Sequence, residues 1–184
     1  MATVAQKLIT AEEFIKMPSP PDGSKQELVR GEIITMPRGF RHGVCQLRAA
    51  RVLDNYAGST KRGRVTVETG VVIERDPDTV RGPDVSFWSF ERLPLDQEPE
   101  GYPDVAPDVC VEILSPDKRL KRILEKLREY FAKGVRMVWI IDPEDRTVTV
   151  YRSAEEGRLL HESATLAGED VLPGFSCRVA EFFA

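Results

Sequence analysis

Two apolar runs dominate the hydrophobic pattern, "DVCVEIL" at 108–114 and "VRMVWIID" at 135–142. Near-continuous runs of this length are typical of strands covered on both faces. Between them Leu120, Ile123, Leu124, Leu127 and Phe131 recur at helical spacing and predict a helix over 117–133. Ser115 is placed as its N-cap, Pro116 at its first position and Gly134 past its end. The three segments make a β-α-β unit, in which the two strands run parallel.

The rest of the chain alternates more loosely. "TAEEFIKM" (10–17) opens a short helix with a capping box, Thr10 and Glu13. "QELVRGEIITM" (26–36) reads as two short strands around Arg30-Gly31, and 40–58 as a broadly apolar helix closing at Gly58. "GRVTVETGVVIER" (63–75) is one bent strand or two, broken at Gly70, and "GPDVSFW" (82–88) is another strand. Residues 92–107 carry Pro and acid without a period, hence a surface loop. A strand over 145–153, an edge strand over 158–163 and a short helix in "VAEFFA" complete the chain. The expected architecture is an α/β (α+β) fold, a mixed central β-sheet flanked by helices. It forms a single domain over 1–184, with an N-terminal helix and hairpin (10–36), a core (40–152) and C-terminal strands with a short helix (153–184).

Composition narrows the classes. The 184 residues are 41% hydrophobic and 30% charged, with a net charge of −4, so the chain as a whole is no electrostatic trap for nucleic acid. No run approaches the length of a membrane span and the N-terminus has no apolar leader core, which leads to the expectation of a cytoplasmic protein. Three scattered cysteines and two histidines, His42 and His161, fit neither a disulfide framework nor a zinc site. A bound metal would meet mainly oxygen ligands, which favours Mg²⁺ or Mn²⁺.

The chemistry concentrates on acids inside apolar strands, where each costs several kcal/mol unless paired or bound. Asp108, Cys110, Glu112 and Leu114 share one strand face, with Val109, Val111 and Ile113 on the other. Asp84 sits in a second apolar strand, after Pro83. An Asp and a Glu on neighbouring strands can converge on one divalent ion. The competing readings are an arginine pair or solvent for Glu112 and a turn acid for Asp84. Lys126 lies at the margin of the helix stripe, with Tyr130 one turn later; alone it reads equally as a snorkelling surface lysine.

Asp84 and Glu112 on strands, followed by a lysine, resemble the PD-(D/E)XK nuclease core. "APDVCVEILSP" with "EKLREYFAKGVRMVWIIDP" is similar to its Uma2 (DUF820) branch, from about Glu27 to Tyr151. The lysine of a plain D/E-X-K strand would stand at Leu114; in this branch it lies on the next helix, which Lys126 and Tyr130 match. "QELVRGE" resembles the family's N-terminal motif, with Gln26 in place of its Tyr, and implies Glu27 as a further site acid. "RHGVCQL" matches the helix that opens with His and implies His42 near the site. An arginine partner for Glu27 and simple packing for His42 are the alternatives.

The resemblance implies a restriction-endonuclease-like core and a metal-dependent endonuclease hydrolysing DNA phosphodiesters. Asp84, Glu112, Lys126 and Tyr130 would be catalytic, and Asp84, Glu112 and Glu27 would be metal ligands. Of the three "PDV" repeats (83–85, 103–105, 107–109), only the first then carries a catalytic acid. Asp108 ends a turn or caps backbone, and Asp104 is solvent-exposed. Residues 118–136 hold eight cations against two acids, a net +6. Arg119 and Arg122 of that stretch, with His42, are the expected substrate-binding residues; an ordinary solvated helix face explains the charge equally well. Two copies would serve two strands, which implies a homodimer; "SFWSF" (86–90) offers aromatic surface for it, although filling the core is the preferred reading. The rivals are an inactive binding or assembly protein on the same fold, and a nuclease acting on RNA.

Overall fold

The computed structural model describes residues 7–37, 39–115 and 120–184. The capping box holds: Thr10 accepts from the Glu13 amide and Glu13 from the Thr10 amide, opening α1 (Ala11–Phe14). Arg30 and Gly31 both take positive φ (51° and 78°), as a two-residue hairpin turn of the primed type demands. They join β1 (Lys25–Val29) to β2 (Glu32–Met36) in antiparallel register. A Cβ at position 31 would fall 2.6 Å from that of Leu8, so glycine is needed there.

The segment at 63–75 is two strands, and they belong to different sheets. β3 (Gly63–Val67) joins a six-stranded sheet, while β4 (Val71–Glu74) joins the hairpin's sheet. The chain turns between them at Glu68, whose φ is +55°. A short strand that the pattern did not predict, β5 (Thr79–Arg81), lies between β1 and β4, giving the order β2-β1-β5-β4. The chain then recrosses through Gly82-Pro83-Asp84 into β6 (Val85–Ser89). The Glu68 amide bonds to the carbonyls of Pro83 and Asp84, at 3.1 and 3.3 Å, so the two crossings run side by side.

The larger sheet has the order β10-β9-β8-β7-β6-β3, with β7 (Val109–Ile113), β8 (Met137–Asp142), β9 (Thr147–Tyr151) and β10 (Gly157–His161). Only β7 and β8 pair in parallel among these, joined by α3 (Leu120–Lys133). This is the expected β-α-β unit in a mixed sheet. The predicted start of α3 at Pro116 lies outside the described residues; Gly134 follows its end with φ +101°.

The faces of β7 sort as alternation requires. Val109, Val111 and Ile113 pack with α2 (Phe40–Thr60), and Cys110 packs with Leu127 and Tyr130 of α3. α2 runs past Gly58 because Lys61 takes the left-handed C-terminal position, its amide 2.8 Å from the Ala57 carbonyl. A ribbon not predicted from the pattern, β11 (Thr165–Ala167) with β12 (Ser176–Arg178), and a 3₁₀ turn (Val179–Phe182) close over the α2 side. Phe87 and Trp88 of "SFWSF" are buried, so these aromatics fill the core. Each such large side chain contributes about 1.5–3 kcal/mol of burial.

Candidate active site

Three buried acids meet where the two sheets are stitched together. Asp84 stands in the recrossing segment just before β6, so its carboxylate reaches past the edge of regular pairing. Its Oδ1 accepts from Lys25 Nζ at 2.6 Å. Its Oδ2 accepts from the Ile113 amide at 2.7 Å and lies 3.1 Å from His42 Nε2. Glu112 comes from the middle of β7, on the face that α3 covers. Both its oxygens accept from Lys126 Nζ, at 3.0 and 2.9 Å, and Oε1 accepts from the Tyr130 hydroxyl at 2.5 Å.

Glu27 arrives from the other sheet. β1 pairs with β5 at Leu28 and Val80, which sets Glu27 beside Arg81 and Gly82. Arg81 Nη1 donates to Glu27 at 2.9 Å, and Lys126 Nζ lies 2.8 Å from Glu27 Oε1. Lys126 therefore ties Glu27 to Glu112. Arg81 also forks onto Glu129 of α3, with bonds of 2.6 and 3.0 Å. Positions 126, 129 and 130 lie within one turn of α3, so one helical face closes a ring of ionic contacts across both sheets.

The electrostatics follow from this crowding. Burial alone would raise the pKa of Glu27, but Lys126, Lys25 and Arg81 outweigh it and bring it down to about 2. Asp84 is likewise held below its ordinary value, burial being outweighed by Lys25, His42 and Lys126. Burial opposes the charge on Lys126, yet Glu112, Glu27 and Asp84 hold its pKa up. The Tyr130 phenol is pushed up by burial and by the Glu112 charge, so it donates. The resting cluster sets Glu27, Asp84, Glu112 and Glu129 against Lys25, Lys126 and Arg81.

The structure brings Glu27, His42, Asp84, Glu112, Lys126 and Tyr130 together. The arginine alternative for Glu27 is also realised, in Arg81. Glu112 finds a lysine and a tyrosine, not an arginine. His42 does more than pack, although its buried Nδ1 has no partner among the described residues. Arg122 is exposed on α3 and lines a cavity of about 290 Å³ with Glu27, Arg81, Glu112 and Lys126. Arg119 lies outside the described residues. A larger cleft of about 810 Å³ runs along the C-terminal half of α3, past Arg92 and Lys133, and holds none of the three acids. Asp104 is exposed, as expected, and Asp108 caps the Ser89 amide. Lys25, Arg81, Glu129 and Gln46, which donates to the Asp84 carbonyl at 3.0 Å, were missed by sequence reasoning.

The donor set suits a hard divalent cation. Among the described residues no three His, Cys, Asp or Glu side chains already form a metal cage. Were Mg²⁺ to bind here keeping most of its waters, Asp84 and Glu112 would be the one or two carboxylates it takes from protein.

The sheet topology and the acid cluster at its junction define a protein of nuclease fold. The chain is similar to the solved structure of a "putative nuclease belonging to DUF820" from Anabaena variabilis ATCC 29413, with 27% identity and a TM-score of 0.76. The alignment covers 95% of this chain and 97% of that one. The Uma2 family model, described as "Putative restriction endonuclease", matches residues 11–180, and the chain belongs to that family. No curated protein matches it.

Proposed function

We propose that the protein is a metal-dependent endonuclease that hydrolyses phosphodiester bonds in DNA. The observation that carries this reading is the convergence of Glu27, Asp84 and Glu112, all buried, around one lysine that contacts two of them. Three acids in one desolvated place repel one another, and a fold keeps such an arrangement where a cation is to be bound.

Asp84 and Glu112, with Glu27 beside them, would hold Mg²⁺ or Mn²⁺. Bound there, such an ion supplies Lewis acidity toward a phosphoryl oxygen and makes water a better nucleophile near neutral pH. Lys126, charged and fixed, orients the attacking water or stabilises negative charge developing on the phosphate. The Tyr130 hydroxyl holds Glu112 in place and limits its rotation. Arg122, exposed at the cavity rim, meets the substrate backbone, and His42 keeps Asp84 oriented. The family name suggests DNA as the substrate, and cutting both strands would engage two copies of the chain. A cytoplasmic location agrees with this role; no described helix is long and apolar enough to cross a membrane.

A second reading, a binding protein that has kept the nuclease fold, is favoured by the same ion pairs, because every site carboxylate already has a partner inside the chain. Incubating supercoiled plasmid with the protein and Mn²⁺ or Mg²⁺, with and without EDTA, separates the two. Metal-dependent nicking by the wild type, lost in Asp84→Asn and in Glu112→Gln, is the expected result. Plasmid left intact by folded wild type, or cut equally by both variants, would favour the binding protein.

A further inference from the structure

Lys25 is a buried cation that the proposed chemistry leaves unused. Only 7% exposed, it places Nζ 2.6 Å from Asp84 Oδ1, the one oxygen of that carboxylate not engaged by His42 or the Ile113 amide. With Lys126 and Arg81 also present, and Arg81 shared with Glu129, three cations already face the four acids of the cluster. A divalent cation entering this cluster would leave one positive charge uncompensated in a place where charge is poorly screened. One resident cation has to withdraw. Lys126 bridges Glu27 and Glu112, and Arg81 is locked by Glu129, so neither can leave without breaking several contacts.

Among the described residues Lys25 makes its ion pair with Asp84, and it has somewhere to go. Its side chain also lines a chamber of about 410 Å³ on the far side of the strand crossing, walled by Ser24, Glu68, Gly82 and Tyr102. Its Cε runs past Gly82, where an added Cβ would sit 3.7 Å away in ordinary contact.

We infer that Lys25 is the resting counter-ion of Asp84, that it competes with the divalent cation for that carboxylate, and that it withdraws into the adjoining chamber when the cation binds. This rests on the reading of Asp84 as a metal ligand. Lys25 is then a positioning residue: it keeps the aspartate ionised and oriented until metal arrives, and it weakens metal binding while doing so.

The test is calorimetric titration of Mn²⁺ into wild type, Lys25→Met and Lys25→Gln, with thermal melts to show that each variant is folded. Reductive methylation of wild-type lysines, read by mass spectrometry with and without Mg²⁺, is the second measurement. The expected result is Mn²⁺ affinity at least ten-fold higher in the folded variants, and several-fold faster labelling of Lys25 when Mg²⁺ is present. Wild type that binds Mn²⁺ as tightly as the variants, or more tightly, with Lys25 labelling unchanged by Mg²⁺, overturns the competition and leaves the metal site standing. Absence of Mn²⁺ binding in all three folded proteins overturns the metal site itself, and the competition with it.

Discussion

Asp108 and Glu112 sit four residues apart on one strand face, and both are buried, at 1% and 9% exposure. They serve opposite purposes. Asp108 stands alone among cations, 3.2 Å from Arg92 and 3.5 Å from Arg136, and accepts from the Ser89 amide at 2.8 Å. It pins the start of β7 to the end of β6 and to the loop beyond. Glu112 shares its surroundings with two other acids and with a cavity. Burial of an acid therefore marks nothing by itself. What separates a site from a staple is the number of like charges that the fold forces together.

The largest effect that sharpens this contrast is on activity. Glu112→Gln should lower metal-dependent nicking by about 100-fold or more, while Asp108→Asn in its folded fraction should cut like wild type. Plasmid nicking time courses decide it. Equal losses in both variants would erase the distinction between the two ends of the strand.

On stability the order reverses. Asp108→Ala strands the Ser89 amide and leaves two arginines without their acid. Because those arginines are 29% and 38% exposed, solvent offsets part of the loss, and a cost of about 2–3 kcal/mol is expected in urea unfolding. Glu112→Gln should cost less, since Lys126 keeps Glu27.

Acid titration gives the next effect. The Glu27 pKa is depressed in the folded protein, to about 2 from an ordinary 4.5. Its contribution is therefore present in full above the unfolded value and is lost as pH falls from about 4.5 toward 2. Asp84 is shifted in the same direction. Glu27→Gln should flatten the loss of stability over that window, measured by denaturant melts at successive pH values, and a curve as steep as wild type would remove Glu27 from the ionic ring.

The smallest effect belongs to the exposed face of α3. Arg122→Ala should weaken DNA binding only a few-fold and reduce the slope of log affinity against log salt by about one. Fluorescence anisotropy across a salt series checks it.

What the chain disclosed in advance followed from periodicity. The β-α-β unit was visible because two long apolar runs flank a clean helical stripe, and the hairpin because Arg30-Gly31 separates two runs. Glu112 and Asp84 drew notice because a carboxylate in an apolar strand is costly, and Lys126 and Tyr130 because helical spacing puts them on one side. Family resemblance, not periodicity, pointed to Glu27 and His42. Arg81 and Lys25 were hidden for a physical reason: their partners depend on strand pairing between distant segments. β5 has three residues, too few to show alternation, yet its pairing with β1 brings Arg81 to Glu27. β11 and β12 are as short and were missed for the same reason. The split of 63–75 between two sheets was beyond a pattern that knows only strand or not strand.

The central claim is that the buried acids at the sheet junction are a cation site, and Mn²⁺ calorimetry on wild type and Glu112→Ala tests it most directly. Saturable binding by the wild type, lost in a folded Glu112→Ala protein, is the predicted result. Equal binding by both, or none by either, would contradict it and make Glu27, Asp84 and Glu112 internal ion-pair partners only.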